Sequence, residues 1–119
     1  MTALAVLVVD DSAVARLTVA RRLRAEGLEV IEHATAALPE NGAVDRITCA
    51  LLDLDLGESD GADLARALLA RRGDLPIAFF SGSASRELLD RARALGPVFA
   101  KPGELEGADA WVRANATAR

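Results

Sequence analysis

The chain has 119 residues, a formal net charge of −4, and 51% apolar, 27% charged and 3% aromatic residues. That is the length and balance of one globular domain whose core is built from Ala, Leu and Val. The acidic balance and the lack of a basic stripe argue against nucleic acid as a partner. No apolar run is long enough to span a membrane, and no secretory signal opens the chain.

The one cysteine, Cys49, lies in an apolar context, so a disulfide framework is excluded and the cytoplasm is the expected compartment. Lys101 is the only lysine among 14 Lys and Arg residues. A chain that uses arginine everywhere else has lysine at one position.

Apolar runs alternate with helical patterns, without repeats or linkers. Residues 5–9 (AVLVV) form a first strand, buried on both faces because it lacks polar alternation. A helix follows over 12–27, with Ser12 able to cap its start and Gly27 to end it. Residues 28–34 alternate as a second strand. The segment 35–48 should hold a second helix, but Pro39, Asn41 and Gly42 interrupt the pattern and leave room for a turn or two. A third strand is expected at 49–54, a helix at 60–73 and a fourth strand at 76–81. A helix at 85–96, a short fifth strand at 97–100 and a last helix at 104–116 complete the chain. This alternation predicts a parallel α/β sheet with helices on both faces.

Ligands of such sheets bind beyond the carboxyl ends of the strands. There the first strand ends in Asp10-Asp11, the third at Asp53, the fourth in Ser81-Gly82 and the fifth in Lys101-Pro102. Each has a bland reading: Asp11 or Ser12 as a helix cap, Asp53 and Asp55 as loop acids, Asp60-Gly61 as a turn, Lys101-Pro102 as a strand terminator. Separately those readings win, but they do not predict one shared edge or the single lysine. Three convergent carboxylates need a cation, and an all-oxygen set suits Mg²⁺, with Mn²⁺ an alternative. A carboxylate, a hydroxyl, an ammonium and a hard cation are equipment for phosphoryl transfer. Asp53 is the expected acceptor, Asp11 the direct metal ligand and Asp10 its support. The Asp55 carbonyl offers a further oxygen. Lys101, the Ser81 hydroxyl and the Leu54 and Gly82 amides would bind phosphoryl oxygens.

Together VLVVDDS, ALLDLDLGESDG, PIAFFSGS and VFAKP resemble the receiver domain of bacterial two-component response regulators, over essentially the whole chain. The resemblance implies a flavodoxin-like (CheY-like) sheet of order 2-1-3-4-5 and Mg²⁺-dependent phosphorylation of Asp53. The donor would be a sensor histidine kinase or histidine phosphotransfer protein. It also implies that Asp55 and Ser83 flank the phosphoryl group and tune its hydrolysis. Ser81 would move toward that group as a switch.

Many receivers carry Tyr or Phe three residues before the lysine. Val98 stands there, and the neighbouring Phe99 should point to the other face. Gly57 and Gly103 also depart from common choices. The chain reads as a single receiver over 1–119 with no output domain, either stand-alone or cut from a hybrid kinase. Its partner surface is expected on the fourth helix, fifth strand and fifth helix, with Arg86, Arg91 and Arg93. His33 is expected at an edge, Trp111 in the core, and Arg21-Arg22 and Arg71-Arg72 on solvated helix faces.

Two rival functions follow from the same residues. LLDLD (51–55) is similar to the first motif of haloacid-dehalogenase-type phosphohydrolases, but the acidic pair here precedes it and no cap domain fits. A degenerate receiver acting only as a binding module is the other.

Overall fold

The computed structural model describes residues 4–116. Its elements are β1 (Ala5–Val9), α1 (Ala13–Ala25), β2 (Val30–His33), α2 (Asn41–Asp45) and β3 (Ile47–Leu52), then β4 (Asp55–Leu56), β5 (Ser59–Asp60) and α3 (Gly61–Arg71). The chain ends with β6 (Ile77–Ser81), α4 (Arg86–Arg93), β7 (Val98–Ala100) and α5 (Leu105–Asn115). The main sheet has the order β2-β1-β3-β6-β7, with every pair parallel. This is the expected 2-1-3-4-5 order once the small β4–β5 ribbon is set aside.

Two apolar clusters sandwich the sheet. Leu7, Val9, Leu52, Ile77 and Phe79 pack beneath α2, α3 and α4 with Leu64 and Leu68, joined by Val98. Val6, Val8, Leu51 and Phe80 pack beneath α1 and α5 with Leu23 and Val112, joined by Phe99 and Trp111. Burial on both faces explains why β1, β3 and β6 are mostly apolar and show no polar alternation. Ser12 caps α1 through a bond from the Ala15 amide, and Asp60 and Ser85 do the same for α3 and α4.

Three expectations are corrected. β3 begins at Ile47, because Thr48 is buried with its hydroxyl donating to the Ala5 carbonyl at 3.3 Å. Arg72 does not lie on a solvated face. Its side chain is 12% exposed, and Nη1 donates to the carbonyls of Val44 (3.0 Å) and Ile47 (2.5 Å), pinning the short α2 to β3. Arg91 is not a free surface charge on α4. It reaches from α4 to Asp60 (3.2 Å) and Asp63 (2.7 Å) at the start of α3.

Candidate functional site at the carboxyl edge of the sheet

Parallel strands in register deliver their last residues to one edge. The β1–β3 pairing puts Val9 beside Leu52, so Asp10 and Asp53 leave the sheet side by side. Asp53 donates its amide to the Val9 carbonyl at 2.8 Å, and Lys101 donates its own to the Ser81 carbonyl at 3.0 Å. The main chain itself therefore holds these positions together.

Asp10 and Asp53 are buried and Asp11 is exposed. One carboxylate oxygen from each lies within 4.8 Å of the others. The Lys101 ammonium contacts Asp10 Oδ2 at 2.6 Å and Asp53 Oδ2 at 3.2 Å, and it stands 5.7 Å from the centre of the Phe80 ring. Asp10 Oδ1 accepts from the Ser12 amide, and Asp53 Oδ1 from the Leu54 amide at 2.8 Å. Ser81 is buried, and its Oγ accepts from the Ser83 amide at 3.1 Å. The Lys101–Pro102 peptide bond is cis.

Burial pushes the Asp53 carboxyl above the usual carboxylate range. Lys101 opposes that rise, Asp10 adds to it, and a bond from Ser81 opposes it. Lys101 is raised as well: burial lowers it, but its bond to Asp10 and the charges of Asp53 and Asp10 outweigh that. One ammonium thus serves two buried carboxylates, while the third faces solvent. This all-oxygen, three-carboxylate set fits a hard divalent cation.

The loop after Asp53 is built by two glycines. Gly57 has φ +74° and opens a two-residue hairpin in which Leu56 faces Ser59 and Asp55 faces Asp60. Positive φ at the first central position only is the type II′ pattern. A Cβ at Gly61 would stand 2.0 Å from the Asp53 carbonyl oxygen, so only glycine lets α3 begin against the acceptor's own backbone. Asp55 and Gly82 are exposed and Ser83 half-buried on the rim. Val98 and Phe99 lie on opposite faces of the sheet, and His33 is half-buried at the end of edge strand β2.

Sequence reasoning missed the β4–β5 ribbon, for which Gly57, able to take the positive φ of a tight turn, is the one local signal. It also missed Arg16, whose Nη1 donates to the Asp10 carbonyl at 2.9 Å. No local pattern marked that contact.

The sequence model of the response regulator receiver domain matches residues 6–102. The transcriptional regulatory protein PdtaR of Mycobacterium tuberculosis is 29% identical over 93 residues, which are 76% of this chain and 45% of PdtaR. This chain therefore aligns with less than half of that relative. The non-phosphorylated HemR receiver domain of Leptospira biflexa superposes with a TM-score of 0.80 at 24% identity, covering 98% of this chain and 96% of that one. A Burkholderia pseudomallei response regulator, solved with a phosphorylated aspartic acid and a calcium ion, gives 0.72 at 26% identity, covering 96% of this chain and 66% of that one. Among the described residues no helix is long and apolar enough to cross a membrane.

Proposed function

This chain belongs to the response regulator receiver domain family, and from that premise we propose that it is a phosphoacceptor, taking a phosphoryl group on Asp53 from a phosphohistidine. The family is a signalling one rather than a class of classical enzymes, which takes support from the phosphohydrolase alternative. The observation that carries the reading is Lys101 bonded to both Asp10 and Asp53 within the three-carboxylate cluster.

In the proposed step a carboxylate oxygen of Asp53 attacks phosphorus. The P–N bond to the donor imidazole breaks as the P–O bond forms, and the imidazole nitrogen keeps the bonding pair. Burial raises the Asp53 carboxyl, which makes its oxygen a better nucleophile, and Lys101 opposes that rise in favour of the ionised form. The incoming group is anionic, so donors must already face it. Lys101, the Ser81 hydroxyl and the Leu54 and Gly82 amides are those donors. Lys101 already spans two acids and can shift its bonds to the phosphoryl oxygens. Asp11, Asp10 and Asp53, with the Asp55 carbonyl, would hold Mg²⁺ (or Mn²⁺), which supplies charge neutralisation for the transferring group. Asp55 and Ser83 on the rim would govern the approach of hydrolytic water.

The donor must approach from the open edge of the sheet. Beside it lies a groove of about 190 Å³ lined by Ala15, Thr18, Phe80, Lys101, Pro102 and Leu105. Val14 is 79% exposed and Leu17 36% on the neighbouring face of α1. An apolar surface of the donor would seat on this groove rather than on the charged face of α4. Arg86 and Arg93 on α4 remain exposed for a downstream protein.

The test is a backbone NMR titration with Mg²⁺ and beryllofluoride, a phosphoryl mimic. The Leu54, Ser81, Gly82 and Lys101 amides should shift together, and the Asp53→Asn variant should not respond. Lack of response in the wild-type chain would remove the reading.

A further inference from the structure

The acidic pair is held from behind by a hydrogen-bonded chain that the phosphoryl chemistry does not itself use. Arg16 lies in the first turns of α1, with a side chain 18% exposed. Its Nη1 donates to the Asp10 carbonyl at 2.9 Å, and its Nε donates to Glu32 Oε1 on β2 at 3.3 Å. Glu32 Oε2 accepts from Arg24 at 2.7 Å, and Arg24 returns to the Val30 carbonyl at 3.2 Å. Arg16 alone thus reaches the main-chain oxygen just past β1, while Glu32 and Arg24 hold Arg16 in place from behind.

We propose that Arg16 is a positioning residue that fixes the Asp10–Asp11 turn and thereby sets the cation affinity of the site. The proposal rests on reading Asp10, Asp11 and Asp53 as that cation site. Every other polar group of Asp10 is already committed. Its amide donates to the His33 carbonyl at 3.1 Å, Oδ1 accepts from the Ser12 amide, and Oδ2 accepts from Lys101. Asp11 is exposed and, among the described residues, makes no ion pair, so its direction depends on the turn alone. Arg16 supplies the remaining restraint, on the carbonyl between the two acids. Its charge is shared with Glu32, so its effect is geometric rather than a long-range repulsion of the cation. The two donors act in different directions from one planar group, which a lysine cannot reproduce. Groups that orient metal ligands from behind typically change metal affinity about 10–100-fold when removed.

The experiment is Mg²⁺ titration of the full chain by NMR, comparing wild type with Arg16→Gln, Arg16→Lys and Glu32→Gln, with amide hydrogen exchange measured in chelator. Arg16→Gln should weaken Mg²⁺ binding about tenfold and speed exchange of the Ser12 amide. Arg16→Lys should recover little, and Glu32→Gln should show the same losses to a smaller degree. Wild-type-like or tighter binding by Arg16→Gln would overturn the proposal alone; the tighter result would mean that Arg16 acts as a repelling charge. Should Arg16→Gln fail to fold, Glu32→Gln decides, and unchanged affinity there overturns the proposal. No Mg²⁺ binding by the wild-type chain, with its Ser12 amide still protected, would overturn the cation reading itself and the proposal with it.

Discussion

Replacing the acceptor should make the metal-free protein more stable. Asp53 is buried with one partial counter-charge, Lys101 at 3.2 Å, and with two other carboxylates within 4.8 Å. At an effective dielectric of about 20, the attraction is about 5 kcal/mol and each repulsion, taken at the 4.8 Å limit, about 3.5 kcal/mol. Asp11 faces solvent, which screens its share by about half. The charges then nearly cancel, and the unreturned cost is the burial of the carboxylate. In Asp53→Asn the amide oxygen can still accept from Leu54, and Lys101 keeps Asp10 at 2.6 Å. The expected gain is about 1–2 kcal/mol, the order of the desolvation cost of a buried polar group, or roughly 4–8 °C in Tm for a chain of this size.

The sign of the pH dependence follows from the raised pKa. Ionised Asp53 costs stability, and that cost disappears as the carboxyl protonates. The gap between variant and wild type should be full at neutral pH. It should shrink as pH falls through the raised value and close near the ordinary value of 3.8. Urea unfolding in chelator at low ionic strength measures it, and saturating Mg²⁺ should reverse it by stabilising only the wild type. A loss of 1 kcal/mol or more in Asp53→Asn without metal, at neutral pH, would show that the Lys101 pair outweighs burial and refute the reasoning.

Other outcomes follow from particular contacts. Gly61→Ala should cost about 1–3 kcal/mol and disturb the Asp53 amide resonance, because its Cβ would meet the Asp53 carbonyl oxygen at 2.0 Å. Gly82→Ala, whose Cβ meets only the Lys101 Cβ at 3.8 Å, should stay within about 0.5 kcal/mol of wild type by the same denaturant assay. Arg72→Met should cost about 1–3 kcal/mol by stranding the Val44 and Ile47 carbonyls, with hydrogen exchange rising first in α2. Burial pushes the Cys49 thiol up to about 12, so alkylation at pH 8 should proceed only after denaturation, as intact mass would show.

The parts of this protein legible in its sequence are those where burial is continuous and then stops. β1, β3 and β6 are buried throughout, so the polar residue that closes each apolar run marks the edge of the sheet: Asp10, Asp53 and Ser81. The juxtaposition of Asp10, Asp53, Ser81 and Lys101 followed from that pattern and the parallel topology alone. What stayed hidden depends on partners distant in sequence. The five-residue α2 lacks a strong helical pattern and is held by the buried Val44 and by Arg72, 28 residues on. Arg91 looked like surface charge on an amphipathic helix, yet it grips Asp60, which caps α3 and faces Asp55 across the hairpin. Arg22 on α1 and the buried Asp109 on α5 pair across 87 residues, a contact no helical periodicity records. Glu104 hides a similar role: its side chain accepts from the Ala100 amide at 2.7 Å and covers the outer edge of β7.

The most direct test of Asp53 as acceptor is intact mass after incubation with a small-molecule phosphodonor, acetyl phosphate, in Mg²⁺. The account predicts one added phosphoryl group, lost in chelator, absent from Asp53→Asn and strongly reduced in Lys101→Met. An adduct that persists in Asp53→Asn would contradict it. So would no adduct together with unchanged Leu54 and Gly82 amides under Mg²⁺ and beryllofluoride.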